Sequence, residues 1–302
     1  MTAVTALPAQ RNDPRLGIAL MALTSLIFSA QDGLSRHLAE ATNVYMVVMI
    51  RFWFFAGFVV LLGRAQQGSI LGAARTGQPL VQIARAVLLV AEICVTIYAF
   101  TVLGLAQSHA LFAACPLLIA ALSGPILGER VGWRRWTAIG VGFAGILVIL
   151  RPGVAVFDPR GFIALAGALM FALYSLLTRL ASRRDSSATS FFWTGTVGAL
   201  AMTVVGLPMW EPMSPADWAM MLALCAMGAT SHWLLIKTYE VAEAAIVQPF
   251  AYMQLVFVTI IGVTVFDETL HTTTVIGASI VVAAGLFTLW RERVRRLRET
   301  AP

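Results

Sequence analysis

The stretch QIARAVLLVAEICVTIYAFTVLG, running from Gln82 to Gly104, decides the fold. Its 23 residues carry one basic and one acidic side chain, Arg85 and Glu92, among aliphatic and aromatic neighbours. A helix needs about 20 apolar residues to cross a hydrocarbon core of about 30 Å, so this segment reads as a membrane span. Comparable stretches lie at about 16–36, 43–63, 107–127, 134–150, 161–181, 189–208, 216–238, 244–266 and 273–291, separated by short polar breaks. Hydrophobic residues make up 59% of the 302 positions, charged ones 12%, and nothing is left over for a soluble domain. With a mean hydropathy of +0.82, lipid is the solvent for most of the chain. The fold class expected is an all-α integral membrane protein of ten transmembrane helices, with the bilayer as a partner.

Residues 1–15, MTAVTALPAQRNDPR, lack the basic start, short apolar core and cleavage site of a secretory signal, so they read as a cytoplasmic tail before a retained first helix. A net charge of +6 could suggest nucleic acid, but the charges sit at helix ends, as orientation signals do, and no nucleic-acid partner is expected. With the N-terminus inside, Arg36, Arg151 and Arg160 fall outside and Arg51 within a span, while all the other basic residues collect on the cytoplasmic face. The positive-inside rule then places both termini in the cytoplasm. The run RERVRRLRE opens the basic tail at 292–302; it reads as a stop after the last span, and a lipid-binding arm is the other use of such a run. Cys94, Cys115 and Cys225 lie inside apolar stretches with no CxxC, which makes them small packing residues.

The two halves repeat each other in order. Asp32-Gly33-Leu34-Ser35-Arg36 in the first span holds the place of Ser175-Leu176-Leu177-Thr178-Arg179 in the sixth. Phe52-Trp53 answers Phe192-Trp193, Ala106 answers Ala242, and Gly128-Glu129 answers Asp267-Glu268. The repeats run over 16–150 and 161–291. Each unit has five helices, so the second copy enters the membrane from the opposite face: an inverted repeat, the architecture in which two halves rock about a site near the midplane.

Three stretches carry a resemblance to a known family: PLLIAALSGPILGE (116–129) running into the Gly-rich fifth span, QPFAYMQLVFVTIIGVTVFDE (248–268), and the DGLSRHLAE ending of the first span. In that order and spacing the chain resembles the drug/metabolite transporter superfamily, specifically bacterial carriers with two EamA-type domains. The resemblance covers roughly 16–291. It implies secondary transport of a small organic molecule across the bacterial inner membrane by alternating access. The cavity would be lined mainly by helices one, three, four, six, eight and nine.

A charge within the bilayer costs roughly 2.5–3.5 kcal/mol on insertion scales, so each one that remains needs a partner, water or a task. Arg51 and Glu92 reach similar mid-membrane depth on consecutive spans. They read as a coupling carboxylate gated by an arginine, as a pair that recognises a zwitterion, or as a structural ion pair. Ser25, Ser29, Asp32 and Arg36 share one helical face, which must point inward; Asp32 and Arg36 are expected to neutralise each other at i,i+4, as a rim salt bridge or an outer gate. His232 is either a proton shuttle or a hydrogen-bonded interior group. Pro116 and Pro249 each remove a backbone donor and break a span, which is tolerated in lipid where protein or a watery cavity satisfies the freed carbonyls. Gln248 and Tyr252 flank Pro249 on one face. Phe28, Tyr98, Phe112, Tyr174 and Tyr252 are available to stack on a planar or cationic substrate, or to fill the core. Glycines 140, 142, 145, 277 and 285 mark close helix approach.

An intramembrane enzyme is the main rival reading, but HExxH, GxSxG and a GxGD-type aspartate pair are absent from the sequence, and Ser108-His109 shows no third group. No metal or cofactor is expected. A sensor or scaffold that moves nothing would need no polar cavity. A drug exporter of the small-multidrug type relies on a glutamate midway along the first helix, which LGIALMALTSLIFSAQD lacks. Amino acids, riboflavin-like vitamins and S-adenosylmethionine remain as substrates, import and export both remain, proton or ion coupling is open, and a homodimer is compatible with the reading.

Overall fold

The computed structural model describes residues 13–67, 72, 74–128, 132–150, 159–242 and 244–299. All its regular structure is helical. In chain order the helices are α1 (Pro14–Ala41), α2 (Val44–Gln67), α3 (Pro79–Leu103), α4 (Leu105–Phe112), α5 (Cys115–Leu127), α6 (Trp133–Leu150), α7 (Gly161–Ala181), α8 (Ser187–Gly206), α9 (Pro215–Val241), α10 (Ala244–Val247), α11 (Met253–Val265) and α12 (Thr272–Glu299). Eight spans are long and apolar enough to cross a membrane, and Trp136–Leu150 and Pro249–Val265 are shorter apolar helices. The expected ten-helix membrane protein is what the chain forms.

Two of the ten are composite, and both at the expected prolines. The fourth span breaks at Ala113–Ala114 between α4 and α5, with Pro116 in the first turn of α5. The ninth opens with α10, tightens into a 3₁₀ turn over Gln248–Tyr252 that contains Pro249, and resumes as α11. Pro125 is a further proline, inside α5, which continues through it to Leu127. Helix starts are capped where the chain leaves water: Asp13 accepts from the N–H of Arg15 and Leu16, each at 3.1 Å, and Ser186 and Ser214 cap α8 and α9.

The helices pair across the two halves. α1 packs on α9 and α11, α2 on α8, α3 on α7 and α8, and α6 on α12. Side chains such as Leu61, Leu80, Leu200 and Val204 stand out from the bundle toward lipid. The α6–α12 contact is as close as the small residues demand: a Cβ on Gly277 would lie 2.6 Å from the carbonyl oxygen of Gly145, and one on Gly145 would lie 2.8 Å from that of Gly277, while Gly142 makes room for Leu117 of α5. Gly140 meets nothing within 4 Å and is not part of that contact.

The inward stripe on α1 is present. Ser25, Ser29 and Ser35 are buried, with Ser29 Oγ donating to the Ser25 carbonyl at 2.7 Å and Ser35 Oγ to that of Gln31 at 2.8 Å. Back-bonded hydroxyls satisfy themselves, so the helix can turn polar atoms inward without desolvation cost. The stripe thereby sets Asp32 against the other half of the molecule.

Candidate functional site

The polar groups form three tiers between the halves. The first closes the end where α1 finishes. Arg36 pairs with Glu268, donates through Nε to Glu40 Oε1 at 2.8 Å, and lies 4.2 Å over the Phe266 ring. Glu268 Oε1 also accepts the N–H of Leu105 at 2.5 Å, and Oε2 that of Ala106 at 3.0 Å. A carboxylate from one half thus caps α4 of the other, where free amides and the helix dipole favour an anion. Gly104 makes room, with φ +88°; a Cβ there would lie 2.6 Å from Glu268 Oε1. This corrects the expected Asp32–Arg36 bridge. Arg36 reaches along its own helix and across the interface to acids at the helix end, and Asp32 turns elsewhere.

The middle tier holds the charges. Asp32 Oδ2 accepts Gln254 Nε2 at 3.0 Å and lies 3.2 Å from His109 Nε2. Arg51 donates to Ser35 Oγ at 3.3 Å, and Glu92 Oε1 accepts from Thr96 Oγ1 at 2.8 Å. Arg51 and Glu92 lie in each other's field, and Asp32 in that of both, yet no ion pair joins Arg51 to Glu92 among the described residues. His232 donates through Nδ1 to the Gly228 carbonyl at 2.8 Å and meets the edge of Phe28 at 5.4 Å.

Joining the middle tier to the third is a ladder of rings, in which Phe112 and Tyr174, named as stacking candidates, are joined by His109, Phe100 and Phe171. His109 stacks on Phe100 at 5.1 Å; Phe112 follows at 6.5 Å, Phe171 at 5.5 Å and Tyr174 at 6.0 Å. Tyr174 ends under the Arg85 guanidinium, 5.3 Å from its ring centre. Phe100 and Arg85 both belong to α3, so the ladder spans about 22 Å of bilayer depth at 1.5 Å per residue.

The third tier surrounds Arg85, expected as a flanking charge and found 2% exposed. It donates to Gln82 Oε1 (2.7 Å), the Ser190 carbonyl (2.9 Å), Thr178 Oγ1 (3.1 Å) and Tyr174 Oη (3.3 Å). Gln82 and Thr76 donate in turn to Asp185 Oδ2 at 2.8 and 2.5 Å, and the Gly77 N–H to Oδ1 at 3.2 Å. Burial alone would raise the Asp185 carboxyl; the three hydrogen bonds and the Arg85 charge together hold it below its ordinary value.

Other expected site residues lie apart. Tyr98 is 50% exposed, about 120° around α3 from Glu92, so it faces outward. Tyr252 directs its hydroxyl at α12, where a Cβ on Gly285 would sit 2.0 Å from it. Gln248 opens the 3₁₀ turn, and its side chain lies outside the described residues, as does Glu129. Ser108 donates to the Ala99 carbonyl at 3.1 Å and points away from its neighbour, so Ser108 and His109 form no nucleophilic dyad.

Two composite spans facing each other across charged and aromatic walls describe a carrier, and comparison with known proteins agrees. The EamA-like transporter family matches residues 15–151 and again 161–290. The chain belongs to that family. Among EamA relatives, an S-adenosylmethionine uptake transporter of Rickettsia prowazekii is 27% identical over 92% of this chain and 93% of its own. A riboflavin transporter of Vibrio cholerae is 31% identical over 65% of this chain and 66% of its own. A solved structure at 18% identity superimposes with a TM-score of 0.60 over 92% of this chain and 98% of its own, a likeness of fold. By family and by its apolar helices, this EamA protein is a multi-pass membrane transporter of a small metabolite.

Proposed function

We propose that this EamA protein is a secondary transporter of the bacterial inner membrane, with both termini cytoplasmic, that moves a zwitterionic metabolite bearing a planar ring system, of the S-adenosylmethionine type, by alternating access. The observation that carries the reading is the middle tier. Arg51 and Glu92 are opposite charges in one another's field, each hydrogen-bonded to a neutral hydroxyl and not to the other. A static scaffold would gain by closing such a pair; a binding site keeps it apart so that a carboxylate and an ammonium of the substrate complete it.

The ring ladder beside them offers π faces to a purine, worth roughly 1–3 kcal/mol per stacked base. The two relatives are consistent with this division. Both S-adenosylmethionine and riboflavin carry a flat heteroaromatic system for the ladder, but the first alone brings the amino-acid group that Arg51 and Glu92 complement. In the alternating cycle, the Arg36–Glu268 junction closes one end and the Arg85 network the other.

Uptake of labelled S-adenosylmethionine into proteoliposomes tests the reading. Saturable uptake is expected, reduced about tenfold or more by Arg51→Ala for the loss of one charge-assisted hydrogen bond. Saturable uptake that riboflavin abolishes and free methionine leaves untouched, with Arg51→Ala unaffected, would reverse the assignment in favour of the vitamin.

A further inference from the structure

Asp32 and His109 carry chemistry that the proposed function has not used. They come from α1 and α4, and neither residue's sequence neighbours announce the other. Asp32 keeps 16% and His109 12% of side-chain exposure, so both border open space instead of being sealed in the core. The contact between them is unusual. His109 Nε2 is 3.2 Å from Asp32 Oδ2, close enough for an ion pair, yet it is buried and meets no acceptor with hydrogen-bond geometry. What holds the imidazole is its stacking on Phe100, with planes 16° apart, and the edge of Phe112. The carboxylate is fixed independently by Gln254. His109 can therefore give up Asp32 without losing a directional bond, while Asp32 stays in place.

We propose that Asp32 is the anchor for the positive centre of the transported molecule and that protonated His109 occupies it when the substrate is absent. The imidazolium and a sulfonium or quaternary ammonium take turns at one carboxylate. When the cation docks, His109 returns to the neutral form and its proton leaves to solvent, so binding releases one proton and the charge of the site is unchanged. The ladder favours this exchange, because stacking on Phe100 and the edge of Phe112 hold the imidazole in place whether or not it is protonated. The proposal rests on the zwitterion reading for the rest of the substrate, with Arg51 and Glu92 at the amino-acid end.

Other charges facing the pair come from α2 (Arg51), α3 (Glu92), α9 (His232) and the latch (Arg36 and Glu268). Arg51 donates to Ser35, Glu92 accepts from Thr96 and His232 is engaged with Gly228, and none of them makes an ion pair or hydrogen bond to Asp32 among the described residues. His109 is the imidazole that touches the carboxylate.

The test uses the full chain in nanodiscs, with trimethylsulfonium as the bare cation and S-adenosylmethionine and S-adenosylhomocysteine as a charged and an uncharged pair. Trimethylsulfonium affinity should fall as the medium is acidified, by up to about tenfold per pH unit, and lose that dependence in His109→Gln. Asp32→Asn should weaken it about 10- to 100-fold at every pH, and Asp32→Glu should restore most of it, which separates loss of the anchor from loss of the fold. Calorimetry in two buffers of different ionisation heat should count one proton released by the wild type near pH 6 and none by His109→Gln. No binding of trimethylsulfonium, or a pH dependence that survives His109→Gln, overturns the proposal. If trimethylsulfonium behaves as stated and neither adenosyl compound binds, the anchor stands and the substrate reading falls. If both adenosyl compounds bind alike and Asp32→Asn changes neither, the substrate reading stands and the anchor falls.

Discussion

Replacing Gly104 with alanine should undo the junction that ties the two halves together at one end. The residue sits between α3 and α4 with φ +88° and ψ 166°, a region open to glycine almost alone. Forcing a side chain to adopt it costs about 1–3 kcal/mol. The new Cβ would also lie 2.6 to 3.0 Å from the Glu268 carboxylate, which cannot back away without leaving the N–H groups of Leu105 and Ala106. Losing one of those charge-assisted bonds costs about 1.5–3 kcal/mol more, so the whole penalty is about 2.5–6 kcal/mol. At about 2–4 °C per kcal/mol, thermal unfolding in nanodiscs should shift down by at least about 5 °C. Gly140→Ala is the control, since a Cβ there meets nothing within 4 Å of its helical position. A Gly104→Ala protein that melts no lower than the Gly140→Ala control would refute the reasoning, because neither the backbone strain nor the carboxylate clash would then be real.

Glu268→Gln keeps the shape of that junction and removes its charge, so a cysteine placed on the facing end of α4 should label faster with a water-soluble maleimide than in the wild type. At the other end, Arg85→Ala leaves Gln82 Oε1 without its donor, while the Ser190 carbonyl keeps the Thr194 hydroxyl; at about 1–3 kcal/mol for a buried orphan, stability should drop by about 1–3 kcal/mol, and Arg85→Lys should rescue little because an ammonium cannot serve four acceptors as a guanidinium does. Asp185 gives a pH signature. Its carboxyl is held below the ordinary 3.8, so its stabilisation is fully present above that value and is lost as pH falls through the lower native one. Asp185→Asn should flatten the acid limb of a melting-temperature profile and change nothing at pH 7 beyond a constant offset.

The ten spans were legible because hydrophobic length is a one-dimensional property, and the breaks at Pro116 and Pro249 because proline states its effect locally. The inward stripe on α1 was legible for the same reason, since Ser25, Ser29 and Asp32 differ from their apolar neighbours at helical spacing. Partners were not. Arg36 had an acid four residues away on either side, at Asp32 and at Glu40, and sequence gives no means of ranking those against Glu268, 232 residues on. Arg85 looked like an orientation charge because it opens a span; only the fold shows α7 and α8 closing over it. The continuity of the ladder escaped for a similar reason: Phe112 and Tyr174 were legible as single rings, but His109, Phe100 and Phe171 join them only once α3, α4 and α7 are packed. Tyr98 and Tyr252 show the opposite error, in which residue type suggested a site and helix rotation placed the side chain elsewhere.

The most direct measurement of the central claim is counterflow in proteoliposomes loaded with unlabelled S-adenosylmethionine. Wild-type protein should draw in labelled substrate transiently and saturably, with no overshoot from Arg51→Ala, Glu92→Ala. Equal, unsaturable leakage through wild type, double variant and empty vesicles, across S-adenosylmethionine, riboflavin and amino acids alike, would contradict a carrier built around this site.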